Sequence, residues 1–132
     1  MTVARGSFAV TGGTEDPCDE LEGGIRLTHA SGSQAFRGDV AGDGAVHWLM
    51  LYRADKTAHF VGLQRMTGSV GGRTGSFVAS AEGDHDGTGS TVALSIIPGS
   101  GTGELSGIAG DGSLVAKGGP KGTYELDYTL EH

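Results

Sequence analysis

The side chains of this chain that could do chemistry are few: one cysteine, five histidines, three tyrosines and a short acidic run. Cys18 stands alone within Glu15-Asp16-Pro17-Cys18-Asp19-Glu20, so no intrachain disulfide forms, and flanking carboxylates are the wrong setting for a thiolate nucleophile. His29, His47, His59 and His85 show neither the i,i+4 helical spacing nor the CxxC partners of a zinc site, and Glu82-Gly83-Asp84-His85-Asp86 departs from the EF-hand loop. Asp84, His85 and Asp86 are the one cluster whose donors suit a metal, and no metal site is expected from them. The run from Pro98 to Gly107 looks superficially like a phosphate-binding loop. It lacks the Lys-Ser/Thr pair that opens a following helix, so it reads as strand, turn and strand. Without a Gly-X-Ser-X-Gly elbow or a Cys/His pair, the chemistry left is that of hydroxyls and amides. Tyr52, Gln64, Tyr124 and Tyr128 are the candidate catalytic residues, acting as hydrogen-bonding groups.

What positions them is a chain of short strands. Of 132 residues, 26 are glycine and three are proline, roughly threefold the ordinary glycine usage, with no Gly-X-Y period. Two-residue alternation recurs from end to end while helical periodicity is almost absent. The alternation predicts strands over 3–10, 25–30, 34–40, 46–53, 58–70, 73–82, 89–97, 103–108, 113–117 and 123–130. Reversals fall at 42–44 (Gly-Asp-Gly), 54–56 (Ala-Asp-Lys), Gly71-Gly72 and 118–122. Segment 12–24 is the one long irregular stretch; it reads as a solvated loop or as a cover for a barrel mouth. Short connections make consecutive strands antiparallel neighbours, and eight to ten of them in one domain either stack as a sandwich or close on themselves. Closure removes the exposed edges, so the expected fold is all-β, a closed antiparallel β-barrel of about eight strands in a single domain over residues 1–130. Glu131 and His132 coincide with the start of a common vector-encoded histidine tag.

Alternation also assigns faces. Val46, Trp48, Met50 and Tyr52 share one side of their strand; Phe60, Gly62, Gln64 and Met66 share one side of the next. Gly75, Phe77, Ala79 and Ala81 follow, and the last strand offers Tyr124, Leu126, Tyr128 and Leu130. An interior of Phe8, Trp48, Met50, Phe60, Met66 and Phe77 opposite glycine and alanine mixes bulk with vacancy, which is how an eight-stranded barrel holds one small ligand. Those six are the candidate ligand-binding residues. The alternative is a barrel filled by its own side chains.

The formal charge of −7 leaves no basic surface for a phosphate backbone, so nucleic acid is not an expected partner. No apolar run approaches the roughly 20 residues that span a bilayer, and no signal-peptide core follows Met1. The expectation is a cytoplasmic protein without a membrane partner, binding a small apolar molecule, with a homo-oligomer as a further expected state.

Gly6-Ser7-Phe8, Phe36-Arg37-Gly38-Asp39-Val40, Leu49-Met50-Leu51-Tyr52, Phe60-Val61-Gly62-Leu63, the stretch from Gly68 to Phe77, the stretch from Pro98 to Gly107 and the closing Tyr124-Glu125-Leu126-Asp127-Tyr128 resemble an uncharacterised bacterial family, a domain of unknown function with an allene oxide cyclase-like barrel. The resemblance covers nearly the whole chain. It implies a fold like that of plant allene oxide cyclases and dirigent proteins, which steer cyclisation or coupling of apolar substrates without a cofactor. By that resemblance the expected activity is a cofactor-free cyclase or isomerase of secondary metabolism; the alternative is a binding or structural barrel that transforms nothing. Relatives in that family favour tryptophan near Gly12-Gly13, Glu at the position of Gln64 and Gln-His at Ser80-Ala81. These departures imply a remodelled interior.

Overall fold

A computed structural model describes residues 2–130; Glu131 and His132, with the tag reading attached to them, lie outside the described residues. The described residues form nine strands and one short 3-10 turn at Glu22–Gly24: β1 Thr2–Glu20, β2 Arg26–Gly38, β3 Val40–Tyr52, β4 Ala58–Val70, β5 Arg73–His85, β6 Ser90–Ile96, β7 Thr102–Gly103, β8 Ile108–Ala116 and β9 Lys121–Leu130. All pairings are antiparallel, in the order β4-β3-β2-β1-β9-β8-β6-β5-β7, and β4 pairs with β5 to close an eight-stranded barrel with β7 outside it. Among the described residues no helix is long and apolar enough to cross a membrane.

Strand tilt explains why β1 is so long. From Gly6, successive partners run through Tyr124, Leu114, Val92, Gly83, Phe60, Met50 and Thr28, and arrive back on β1 at Pro17. Such a stagger is what closing a tilted sheet demands. Only Thr2 to Ala9 can then pair with β9, and the far half of β1 stands beyond the barrel wall, paired to β2 alone. The segment over 12–24 is thus a strand as far as Glu20, not a loop, despite its glycines, Pro17 and carboxylates. Register shifts at Val10/Gly12 and Pro17/Asp19 bend it, and its outer edge carries no further strand. Proline, charge and bulges are the usual guards of such an edge.

One predicted reversal and two gaps left between predicted strands also turn out to be strand. Ser31-Gly32-Ser33 is continuous with its flanks in β2, Gly42-Asp43-Gly44 lies inside β3, and Gly110-Asp111-Gly112 lies inside β8. The β2–β3 reversal sits at Gly38 and Asp39, where Gly38 has φ +108°. Conversely, the predicted strand 103–108 is mostly turn after the two residues of β7.

Glycines inside strands make room for aromatic rings on neighbouring strands. A Cβ on Gly83 would stand 2.8 Å from Phe60, and one on Gly122 would stand 2.7 Å from Phe8. The core runs along the barrel axis and is tightest at one end, where Val70, Leu105 and Ile108 are at most 2% exposed. Leu105 enters from the turn after β7 and is fully buried; a leucine so placed contributes about 2–3 kcal/mol relative to exposure.

Candidate functional site

Half of the barrel interior is open. A cavity of about 330 Å³ is lined by Phe8, Trp48, Met50, Tyr52, Ala58, Phe60, Val92, Leu114 and Ala116 on its apolar walls, with Gln34, His85 and Ser90 among its polar groups. Its rim is built by the far ends of β3 and β5 and by Gly119-Pro120 before β9. The edge of Trp48 meets Phe60 at 4.8 Å between ring centroids and an interplanar angle of 82°, an arrangement aromatic quadrupoles favour. At the opposite end lies a void of about 30 Å³ among Phe36, Val40, Gln64, Met66, Phe77 and Tyr124.

These positions divide the expected site residues. Phe8, Trp48, Met50, Phe60 and Tyr52 come together around the cavity. Met66 and Phe77 lie in the packed half. Tyr124 lies there too, and its hydroxyl is occupied: it accepts from Val40 N at 2.8 Å and shares its proton between the carbonyls of Arg37 at 2.9 Å and Val40 at 3.0 Å. That hydroxyl ties β9 to the β2–β3 reversal, and burial raises its pKa. Tyr128 is 8% exposed within the core, its hydroxyl against Gly71. Neither Tyr124 nor Tyr128 lines the cavity, because β9, which carries both, runs away from its rim.

Gln64 sits at the boundary between the two halves. Its Nε2 donates to Gln34 Oε1 at 2.8 Å, and its own Oε1 is buried without a partner. Gln34 is 7% exposed and lines the cavity. Gln34 Oε1 is thus engaged, which leaves Nε2 as the remaining end of that amide.

A second polar group stands at the rim. Thr28 Oγ1 donates to Glu15 Oε2 at 2.5 Å, and Arg26 lies 4.7 Å over the Tyr52 ring. Burial, then hydrogen bonding to Glu15 and the charge of its carboxylate, push Tyr52 up to about 12, against the opposing pull of Arg26. Tyr52 is therefore a hydrogen-bond donor throughout the physiological range. On the opposite side of Ala58, which pairs with both Tyr52 and His85, His85 Nδ1 and Ser90 Oγ are 2.8 Å apart.

Strand alternation separates the one cluster with metal-type donors. His85 faces the cavity. Asp84 faces outward to His59 Nδ1 at 2.9 Å, and the hydrogen bond from His59 lowers its pKa. Asp86 caps the following turn by accepting from Thr88 N, Thr88 Oγ1 and Gly89 N, with its pKa lowered by Thr88.

Glu15, Gln34 and Ser90 are site residues that sequence reasoning did not single out, and His85 was weighed only as a metal-type donor. The signal for Gln34 was its phase: it alternates with Thr28, Ala30 and Phe36 once β2 is read as unbroken. His85 likewise continues the inward series Phe77, Ala79, Ala81. For Glu15 the signal was hidden, since its contacts depend on residues 12–20 being strand paired to β2, where the glycines and Pro17 read as loop.

No curated protein matches this chain. Among solved structures, it is similar to a protein with unknown function from the DUF3224 family of Shewanella oneidensis MR-1, with a TM-score of 0.81 and 27% identity over 100% of this chain and 99% of that one. The family described as protein of unknown function (DUF3224) matches residues 4–128. Barrel architecture, whole-chain superposition and family match agree, and the chain belongs to the DUF3224 family.

Proposed function

We propose that this protein binds a small, mainly apolar molecule in the open half of its barrel. The observation that carries the reading is the 330 Å³ cavity walled by Phe8, Trp48, Met50 and Phe60 with a few polar groups at its ends. That volume lies at the lower end of the roughly 300–1,000 Å³ typical of small-molecule sites, which are likewise apolar with sparse, placed polar groups. Trp48 is the sole tryptophan, so its emission reports on the site without labelling. Titration with the uncharged dye N-phenyl-1-naphthylamine is expected to shift Trp48 emission saturably in the native protein. Ala30→Phe, which fills the cavity from β2, is expected to abolish the shift while preserving the far-ultraviolet spectrum. An unchanged titration in that variant would place the dye elsewhere and remove support for the site.

Conversion of the bound molecule, a cofactor-free cyclisation or isomerisation, is a second reading, favoured by the Tyr52 donor and the His85–Ser90 pair on one cavity. Walls that exclude water and fix a flexible substrate lower a barrier largely through entropy. Its test is chemical identity: material extracted from the protein after incubation with a cell extract should contain an isomer absent from a parallel Ala30→Phe incubation. Recovery of unaltered compound alone would leave a carrier or sensor.

A further inference from the structure

The Gln34–Gln64 pair is an odd thing to keep inside a barrel. Both amides are more than nine-tenths buried, at 7% and 4% exposure, and Gln64 Oε1 has no partner. A buried pair with an orphaned acceptor is less favourable than two apolar side chains of similar shape, so packing gives no reason for it. Two amides that meet through one hydrogen bond must each leave an end over. Here the leftover end in the packed half is a carbonyl, and an unsatisfied carbonyl is tolerated better than an unsatisfied NH2 with two donors. Gln34 therefore has its Oε1 held by Gln64, against Gly44, and offers its Nε2 donors to the cavity.

From this we infer that the ligand carries an uncharged hydrogen-bond acceptor, a ketone, aldehyde, ester or lactone carbonyl, seated on Gln34 Nε2 with its hydrocarbon against Trp48 and Phe60. The inference rests on reading the cavity as a ligand site and adds which end of the ligand enters first. A carboxylate is disfavoured there, because among the described residues no lysine or arginine lines the cavity, and an unpaired anion is costly away from water. Gln64 is a positioning residue: it touches no ligand and sets which face of the Gln34 amide is presented.

The test compares two probes of one shape, 1-tetralone and tetralin, by calorimetry on the full chain. The native protein is expected to prefer the ketone by about tenfold, the value of one well-made hydrogen bond in a dry site. In Gln34→Met/Gln64→Met, which removes both amides together and avoids stranding one, the ratio of the two affinities is expected to fall to about one. Gln64→Met alone should reduce the ratio without touching the cavity wall. Equal affinities in the native protein would overturn the carbonyl assignment and leave the ligand site standing. A ratio that survives the double substitution would move the donor away from Gln34. If neither probe binds, and Ala30→Phe changes nothing in the dye titration, the site itself falls.

Discussion

The two halves of this barrel share strands, alternation and glycine content, yet one holds about 330 Å³ of space and the other about 30 Å³. What separates them is what enters from the ends. At the packed end Leu105 is driven in by the turn after β7, Val70 and Ile108 surround it, and the Tyr124 hydroxyl laces β9 to the β2–β3 reversal. At the open end the reversals after β3 and β5 are satisfied by their own side chains. Asp55 accepts from Thr57, and Asp86 from Thr88 and Gly89, so those reversals send nothing inward. One end is stoppered by a loop residue, whereas the other is left open.

Substitutions that treat the halves alike should therefore give unlike results. The largest effect is expected at the stopper: Leu105→Ala should cost about 3–4 kcal/mol in urea denaturation, since a fully buried leucine loses both its transfer energy and its packing. Met50→Ala, on the cavity wall, should cost less than half of that, and equal losses would erase the distinction. Next comes overfilling. Ala79→Phe in the packed half is expected to destabilise by about 3 kcal/mol, while Ala30→Phe in the open half should stay within about 1 kcal/mol. Tyr124→Phe should then cost about 2 kcal/mol by leaving buried backbone groups of the β2–β3 reversal short of a partner, and Tyr52→Phe, at the rim, should cost less.

The smallest effect concerns pH. Tyr52 ionises at about 12 when folded, against the ordinary tyrosine value of 10, so the unfolded chain binds fewer protons between those values. Its contribution to stability is fully present below pH 10 and is lost as pH rises through 12. Absorbance at 295 nm should show a late tyrosinate step near pH 12 that disappears in Tyr52→Phe and moves to lower pH in Glu15→Gln. A step unmoved by Glu15→Gln would detach Glu15 from the rim group.

Much of the open half was legible from sequence. Val46, Trp48, Met50 and Tyr52 face inward because β3 keeps strict alternation, and Phe60 does the same on β4. The packed half was harder. Met66, Phe77, Tyr124 and Tyr128 also point inward, but alternation gives a side chain's face and says nothing of its height along the axis. Tyr124 and Tyr52 look equivalent by parity, and they end at opposite ends of the barrel. Glycine was the main source of error in the elements. Gly42 and Gly110 sit in extended strands where a neighbouring backbone approaches closely, a use of glycine that local pattern cannot tell from a turn.

By itself, the sequence determined that this chain is an antiparallel all-β barrel and which face of each long strand turns inward, because both follow from a two-residue period and short reversals that are local properties. Tertiary structure alone decided which inward residues meet. The registers of β1 on β2 and of β2 on β3 bring Glu15 to Thr28 and Tyr52, and the curvature of the closed, staggered sheet brings Gln34 onto Gln64 from strands that are not neighbours. Stagger is a property of the closed ring, set by the sum of all its registers, and no single segment of the chain contains it.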